Sequence, residues 1–417
     1  MTGTTHPTPS LRSVRALDWL NFFVANVQTG FGPFIASYLA SHKWTQGEIG
    51  LALSVGTISA MVSQVPGGAA VDALRNKKAA AAWAIIAIII SAVLLASSPT
   101  VVPVMAAEVF HGFASCMLVP AMAALALALV GRQNLGDRLG RNARWASIGS
   151  AVAAGLMGLC GEYVSPRAVF WLTAALALPA LVALAMIEYD KHANAPRPLK
   201  SGKADKAAAN AAQAALADEP RETIFDLLRD KRMLTFAACV VLFHLSNAAM
   251  LNLAAGEVTA GMGDNVQLVI AACIIVPQAI VALMSPTVGV KAQAWGRRPL
   301  LLIAFAALAV RGLLFAVVHD PYLLVVVQLF DGITAAVFAV MVPLIVADVA
   351  FGSGHFNLAQ GIVGTATGIG ASLSTLLAGY VSDTFGSSVA FVGLAGVAAL
   401  GLATIALIMP ETKHIEG

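Results

Sequence analysis

The sequence predicts an all-α integral membrane protein with twelve transmembrane helices in two parallel six-helix halves. Three observations carry this expectation. The chain of 417 residues is 59% hydrophobic and only 11% charged, with mean hydropathy +0.81; a soluble domain carries roughly 25% charged residues, so lipid must be the main solvent. Apolar runs matching the ~20 residues a helix needs to cross a bilayer recur along the whole chain. The second half also echoes the first, at a nearly constant offset of about half the chain.

Taken in order, the runs fall near 15–39, 47–71, 79–97, 101–130, 143–163 and 168–188, then 233–258, 265–288, 299–318, 321–349, 358–382 and 388–409. Residues 1–14 are polar and lead directly into the first span, so no cleavable leader is expected. The first span, "LDWLNFFVANVQTGFGPF", is interrupted by Asn21, Asn26 and Gln28 and weakened by Gly30, Gly32 and Pro33. Broken helices of this kind line cavities in transporters. Residues 189–232 form the only long hydrophilic segment. Its Ala- and Lys-rich stretch "ANAPRPLKSGKADKAAANAAQAALADEP" cannot bury a core and reads as a tether. "TIFDLLRDKRM" is amphipathic and suits a membrane surface. The chain therefore divides into an N-terminal segment 1–14, a bundle 15–188, a linker 189–232, a second bundle 233–409 and a tail 410–417.

Basic residues set the orientation. With the N-terminus inside, the inner loops hold Arg75, Lys77, Lys78, Arg132, Arg138, Arg141, Arg144, nine more between 191 and 232, and Arg297 and Arg298, while the outer loops hold only Lys43 and Arg167. Both termini and the linker are thus expected in the cytoplasm, on a bacterial-type inner membrane. Cys116, Cys160, Cys239 and Cys273 lie within apolar runs without metal-ligand spacing and read as free thiols. No metal, cofactor or nucleic-acid partner is expected, and the chain reads as a functional monomer.

The internal repeat is specific. "AEVFHGFASCMLVP" (107–120) is echoed by "VQLFDGITAAVFAVMVP" (327–343), which aligns Phe110 with Phe330, Gly112 with Gly332, His111 with Asp331 and Glu108 with Gln328. Gly68 and Gly289 stand at almost the same offset, and "GEYVSPRAVF" (161–170) resembles "GYVSDTFGSSVAF" (379–391). Six spans per half keep the halves parallel, related by an axis along the membrane normal.

The loop after span eight, Gly289-Val-Lys-Ala-Gln293-Ala-Trp-Gly296-Arg297-Arg298, resembles the signature loop G-x-x-x-D-R-x-G-R-R of the major facilitator superfamily. It departs at Gln293, where an acid is usual, and at Ala294, where a base is usual. The copy after span two keeps Gly68, Asp72 and Lys77 but has Arg75 in place of the second glycine. The resemblance covers nearly the whole chain. It implies a secondary transporter that works by alternating access, with spans 1, 4, 7 and 10 lining a cavity. It also implies that these loops latch the halves on the cytoplasmic side: Asp72 faces a helix N-terminus and the arginines reach acids and carbonyls of the adjoining bundle. Two further family patterns are missing. Glu108 stands where many proton-coupled members carry an arginine. Span five has Gly149, Gly155, Gly158 and Gly161 but no Gly-Pro step, so its glycines read as packing sites.

A charge at a helix centre costs roughly 2.5–3.5 kcal/mol on insertion scales, so such residues face the bundle interior and mark transport paths. Glu108 and His111 share a helix face at i, i+3 and are candidate proton or substrate groups, as are Asp331 and Gln328 opposite them. Arg311, deep in span nine, lies at the depth of Asp331 and is expected to pair with it. His244, Asn247, Asn252 and Gln278 add neutral polar groups to spans seven and eight, each able to bridge helices or touch substrate. Asp18 and Glu257 fall near span ends and read as interfacial. The expected function is proton-coupled efflux of a small organic solute. Proton-coupled uptake is the alternative, and a non-transporting receptor or membrane-embedded enzyme the remote one. No nucleophile–base pair or phosphate loop suggests an enzyme.

Overall fold

The helices begin and end where turn residues interrupt the apolar runs. The computed structural model describes residues 10–73, 77–130, 135–188, 230–349 and 356–412. The first half comprises α1 Leu11–Thr29, α2 Pro33–Ser41, α3 Gln46–Ala73, α4 Lys77–Ser97, α5 Val101–Val130, α6 Leu135–Tyr163 and α7 Ala168–Met186. The second comprises α8 Lys231–Asn247, α9 Met250–Gly261, α10 Val266–Trp295, α11 Arg298–Val317, α12 Pro321–Val349, α13 Phe356–Phe385 and α14 Ser387–Leu407. Each helix of the second half starts close to one repeat after its counterpart. Nine helical stretches among the described residues are long and apolar enough to cross a membrane by themselves. With the broken pair α1–α2 and the more polar α3 and α6, they give the twelve spans of the expected fold.

Two hydrophobic cores form, one centred in each half. In both halves the first helix packs on the fifth and sixth spans, the second span on the fourth, and the third on the fourth and sixth. Large apolar side chains such as Trp83, Leu283 and Leu407 remain on the outer surface, where lipid rather than water receives them.

The break predicted in the first span is a true interruption. The helix stops at Thr29 and restarts at Pro33, with Gly32 at φ 75° between them. Only glycine adopts that backbone without strain, and the following proline suits a first helical position. The equivalent span breaks more gently, between Asn247 and Met250.

The structure corrects two sequence expectations. Span five is longer than its apolar run, because α6 starts at Leu135. The added turns carry Arg138 and Arg141 onto Asp18 of α1, at 2.6 and 2.5 Å. Asp18 is therefore buried and paired, not interfacial. The second correction concerns register. Gly379 is the structural counterpart of Gly158, not of Gly161: the two glycines press against the backbone carbonyls of Gln46 and Gln267, which themselves stand one repeat apart. Close helix approach fixes this register, and the resembling letters around 161 and 379 are displaced from it by almost one helical turn.

The start of α1, the end of α7, the start of α8 and the end of α14 share one end of the bundle, called proximal here; the opposite end is distal. Among the described residues, every hydrogen bond between the halves lies in the distal half of the bundle.

Candidate functional site

The two echoed stretches lie on α5 and α12. Val102 and Val109 on α5, and Tyr322, Val326 and Leu329 on α12, face outward. Helical geometry of 3.6 residues per turn puts His111 and Asp331 on the opposite, inward faces. The paired glycines explain the shared spacing. A Cβ at Gly112 would collide with the backbone carbonyl of Gly56 on α3, and one at Gly332 would collide with Ile280 Cβ and lie 3.0 Å from the Pro277 carbonyl on α10. Each half thus brings its second and fourth spans into close contact one residue after its inward-facing polar group.

In the second half that contact sits beside a neutralised cluster. Arg311 on α11 is 1% exposed, and its Nη1 donates to Asp331 Oδ1 at 2.7 Å and to Asn247 Oδ1 at 2.5 Å. Its Nη2 donates to Gln328 Oε1 at 2.9 Å, and the Phe315 ring lies 5.3 Å from the guanidinium carbon. The expected pair of Arg311 and Asp331 is present, and it draws in Asn247 from α8. Three helices are thereby tied together around one cation. The Asp331 side chain remains 20% exposed.

The first half has the same scaffold without the cation. The position equivalent to Arg311 is Ser91, whose Oγ donates to the Ala107 carbonyl at 2.7 Å. Glu108 is 2% exposed, and its Oε1 has no hydrogen-bond partner among the described residues. Its Oε2 rests in the space left by Gly56, where any Cβ would collide with it. His111 stacks on Phe31 with ring centroids 3.9 Å apart and planes 6° from parallel. Phe31 is supplied by the break between α1 and α2. Ser115 Oγ lies 3.4 Å from His111 Nε2, one turn along α5.

The neutral polar candidates divide. Asn21, Asn26 and Asn252 donate to carbonyls one turn earlier in their own helices, those of Leu17, Phe22 and Ala248. Asn252 also approaches the α1–α2 break at Gly32 across the halves. Gln28, His244 and Gln278 are half-buried and make no side-chain hydrogen bond among the described residues. No hydrogen bond joins the Glu108 site to the Asp331 site among the described residues, and no three acidic, histidine or cysteine side chains converge there to hold a metal.

Comparison with known proteins decides the family. The description Major Facilitator Superfamily matches residues 17–281 and, overlapping, 239–416. The chain belongs to the major facilitator superfamily. It is 38% identical, over 99% of its length and 96% of theirs, to uncharacterised MFS-type transporters of two Mycobacterium tuberculosis strains. Its fold matches that of the nucleoside transporter NupG with TM-score 0.75 at 18% identity, covering 96% of this chain and 100% of that one. It also matches a peptide transporter POT in complex with alafosfalin, with TM-score 0.73 at 13% identity, covering 94% of each. The protein is a membrane transporter of the major facilitator type.

The signature loops of this family member lie at the proximal end. Gly68 and Asp72 belong to the last turns of α3, but their side-chain surroundings, the side chains of Lys77 and Gln293, and Arg75 lie outside the described residues. Gly289 has open space around it, and Gly296 ends α10 at φ 89°. Arg297 pairs with Asp348 at 2.8 Å and donates its backbone N–H to Glu411. Arg298 reaches the carbonyls of Ile405 and Ala406. These are acids and carbonyls of the arginines' own half, not of the adjoining bundle. Lys78 makes the matching contacts in the first half, to the carbonyls of Ala185 and Ile187. Arg298 and Lys78 therefore cap the sixth span of their own half, and Arg297 ties its loop to the fourth.

Sequence reasoning missed Phe31, Gly56 and Ser91. Phe31 and Gly56 gave no signal as apolar or small residues in apolar runs. Ser91 could have been found by carrying the internal repeat back from Arg311.

Proposed function

We propose that this protein moves a small organic solute out of the cell by alternating access, driven by protons, and that Glu108 carries the coupled proton. The observation that carries this reading is the enclosure of Glu108 without a cation. An ionised carboxylate buried without a partner is costly by several kcal/mol, while the neutral acid loses only a hydrogen bond. The first half offers Ser91 where the second offers Arg311, so only the protonated side chain fits the Gly56 slot in this conformation. A conformation that opens the slot to water favours release. Such a difference between states is the thermodynamic requirement for coupling. Asp331, with its charge held by Arg311, serves as a fixed polar anchor beside the solute path, and His111 on its Phe31 platform is the corresponding polar group of the other half.

The excess of basic residues in the proximal loops supports a cytoplasmic location for both termini, with residues 189–232 as a cytoplasmic tether between bundles 15–188 and 233–409. With that orientation, the distal contacts between the halves lie on the outer side of the membrane. Few cationic side chains line the inward faces, which fits an organic solute better than a multiply charged anion.

The test is transport in liposomes containing only this protein, with an internal pH-sensitive dye and a panel of labelled solutes. Glu108→Gln keeps size and removes titration. It should abolish accumulation driven by a pH gradient while sparing exchange of labelled for unlabelled solute at equal pH. Full gradient-driven transport in this variant would refute the proton role. The direction of proton flux accompanying solute separates export from uptake.

A further inference from the structure

The distal contacts contain a second symmetric feature, apart from the Glu108 and Arg311 sites. Glu162 lies at the end of α6 in the first half. It accepts hydrogen bonds from the backbone N–H groups of Asn265, at 2.6 Å to Oε1, and Gln267, at 3.1 Å to Oε2, at the start of α10 in the second half. Asp383 lies near the end of α13 in the second half and accepts from the backbone N–H of Gly47, at 2.8 Å to Oδ2, at the start of α3 in the first half. The acceptors Glu162 and Asp383 stand one repeat apart, and so do the donors Gly47 and Gln267. The asparagine at the N-cap of α10 makes no side-chain cap, so the first turn of that helix is capped by the other half.

We propose that Glu162 and Asp383 are exchanged helix caps that hold the distal side of the transporter shut, each half supplying the carboxylate that completes the other's second span. The first N–H groups of a helix have no partner within it, and their partial positive charge favours an anion. Here the anions belong to the opposite half, so separation of the halves at this end uncovers two helix starts and two carboxylates together. Between the caps lies a neutral layer. Gln267 Nε2 and Thr259 Oγ1 both reach Ser37 Oγ at 2.8 Å, and Ser54 Oγ reaches the Ser372 carbonyl at 3.0 Å and Thr375 Oγ1 at 2.8 Å. Hydroxyls and amides can exchange these bonds for water when the side opens. The carboxylates add the charge-dependent part of closure. The glycines Gly158 and Gly379 permit the helix starts to approach closely enough for the caps to reach.

The inference rests on alternating access and is independent of Glu108 as proton carrier. It is tested by pulsed electron–electron distance measurements on cysteine-free protein in lipid, without solute or pH gradient. Spin labels at Ser98→Cys and His319→Cys occupy equivalent distal turns of the two halves. Loss of one charge at a helix start corresponds to a roughly two- to fivefold change in the ratio of distal-open to distal-closed molecules. Asp383→Asn, at an exposed contact, should sit near the lower figure and Glu162→Gln, half-buried with two donors, near the upper. The double variant should show about the product of the two, because the sites share no partner. Glu48→Gln is the control: Glu48 accepts from Thr45 at the same helix start, within its own half, and should leave the ratio unchanged. Thiol labelling guards against misfolding. Ser54→Cys, buried between α3 and α13, should label faster in the cap variants, and Ala84→Cys, buried inside the first half, should not. A wild-type ratio in the double variant, an equal shift in Glu48→Gln, or faster labelling at both reporter positions would overturn the proposal.

Discussion

Removing either partner of the Arg311–Asp331 pair should destabilise the protein, and the two losses should differ. Breaking a buried pair by deleting one partner costs roughly 3–5 kcal/mol, chiefly because the other charge is stranded. Asp331→Leu strands Arg311, which is 1% exposed and cannot lose its proton in a protein. Its bonds to Asn247 and Gln328 remain but bring no negative charge. A loss near the upper end, about 4–5 kcal/mol, is expected. Arg311→Leu strands Asp331, whose side chain is 20% exposed and can be neutralised by taking up a proton, so about 2–3 kcal/mol is expected. The double leucine variant removes both charges and leaves only the polar ends of Asn247 and Gln328 without their shared donor, for about 1–2 kcal/mol. The coupling free energy is then roughly 4–7 kcal/mol, far above the few tenths seen for independent sites. Reversible unfolding of the four proteins in mixed micelles of increasing denaturing detergent measures the cycle. Additive losses, or a larger loss for Arg311→Leu than for Asp331→Leu, would refute the account of a buried, undischargeable cation.

Three further outcomes follow from the packing. Gly112→Ala should cost about 1–3 kcal/mol in the same assay, because its Cβ meets the Gly56 backbone, whereas Gly393→Ala on α14, with open space around it, should gain up to about 1 kcal/mol. Asp18→Asn should lower stability by roughly 3 kcal/mol, since it leaves buried Arg138 without its carboxylate; an unchanged midpoint would count against the ion cluster at the α1–α6 contact. Protease added outside intact cells should leave residues 189–232 uncut, while the same protease on inverted vesicles should split the chain there and leave two associated bundles; cutting from outside would reverse the orientation.

Much of the fold was legible because membrane constraints are coarse and repeated. A run of apolar residues in lipid has one inexpensive backbone solution, so span positions followed from hydropathy, and the break at Gly30–Pro33 followed from backbone chemistry. The Arg311–Asp331 pair was legible from matching depth on neighbouring spans. Other features depended on three-dimensional proximity that no local pattern records. Asp18 looked interfacial because its partners lie on the polar extension of α6, which hydropathy does not assign to a span. Asn21 and Asn26, cavity candidates in the sequence, each donate an amide N–H to a carbonyl of their own helix, a local bond that no pattern of polar residues announces. The enclosure of Glu108 is set by what stands opposite it, a glycine and a serine, and small residues leave the faintest trace in a sequence.

That enclosure also offers a way to disturb the proton site without touching the titrating residue. A Cβ at Gly56 collides with the far end of the Glu108 side chain. The backbone of α3 can stay in place if the carboxyl swings out of the slot, so Gly56→Ala should cost little stability, at most about 1–3 kcal/mol for local overpacking. Its functional effect should be large. The neutral acid would no longer have a state-specific enclosure, so the difference in proton affinity between conformations would shrink. A tenfold loss of coupling corresponds to about 1.4 kcal/mol of that difference. Accumulation driven by a pH gradient should therefore fall at least about tenfold, while exchange at equal pH persists. The double variant Gly56→Ala with Glu108→Gln should be no worse than Glu108→Gln alone, because the alanine acts only through the carboxyl. If the two losses multiply, Gly56 acts through helix packing and not through Glu108. If Gly56→Ala leaves gradient-driven transport intact, the slot does not govern the proton, and Asp331 or His111 becomes the group to test.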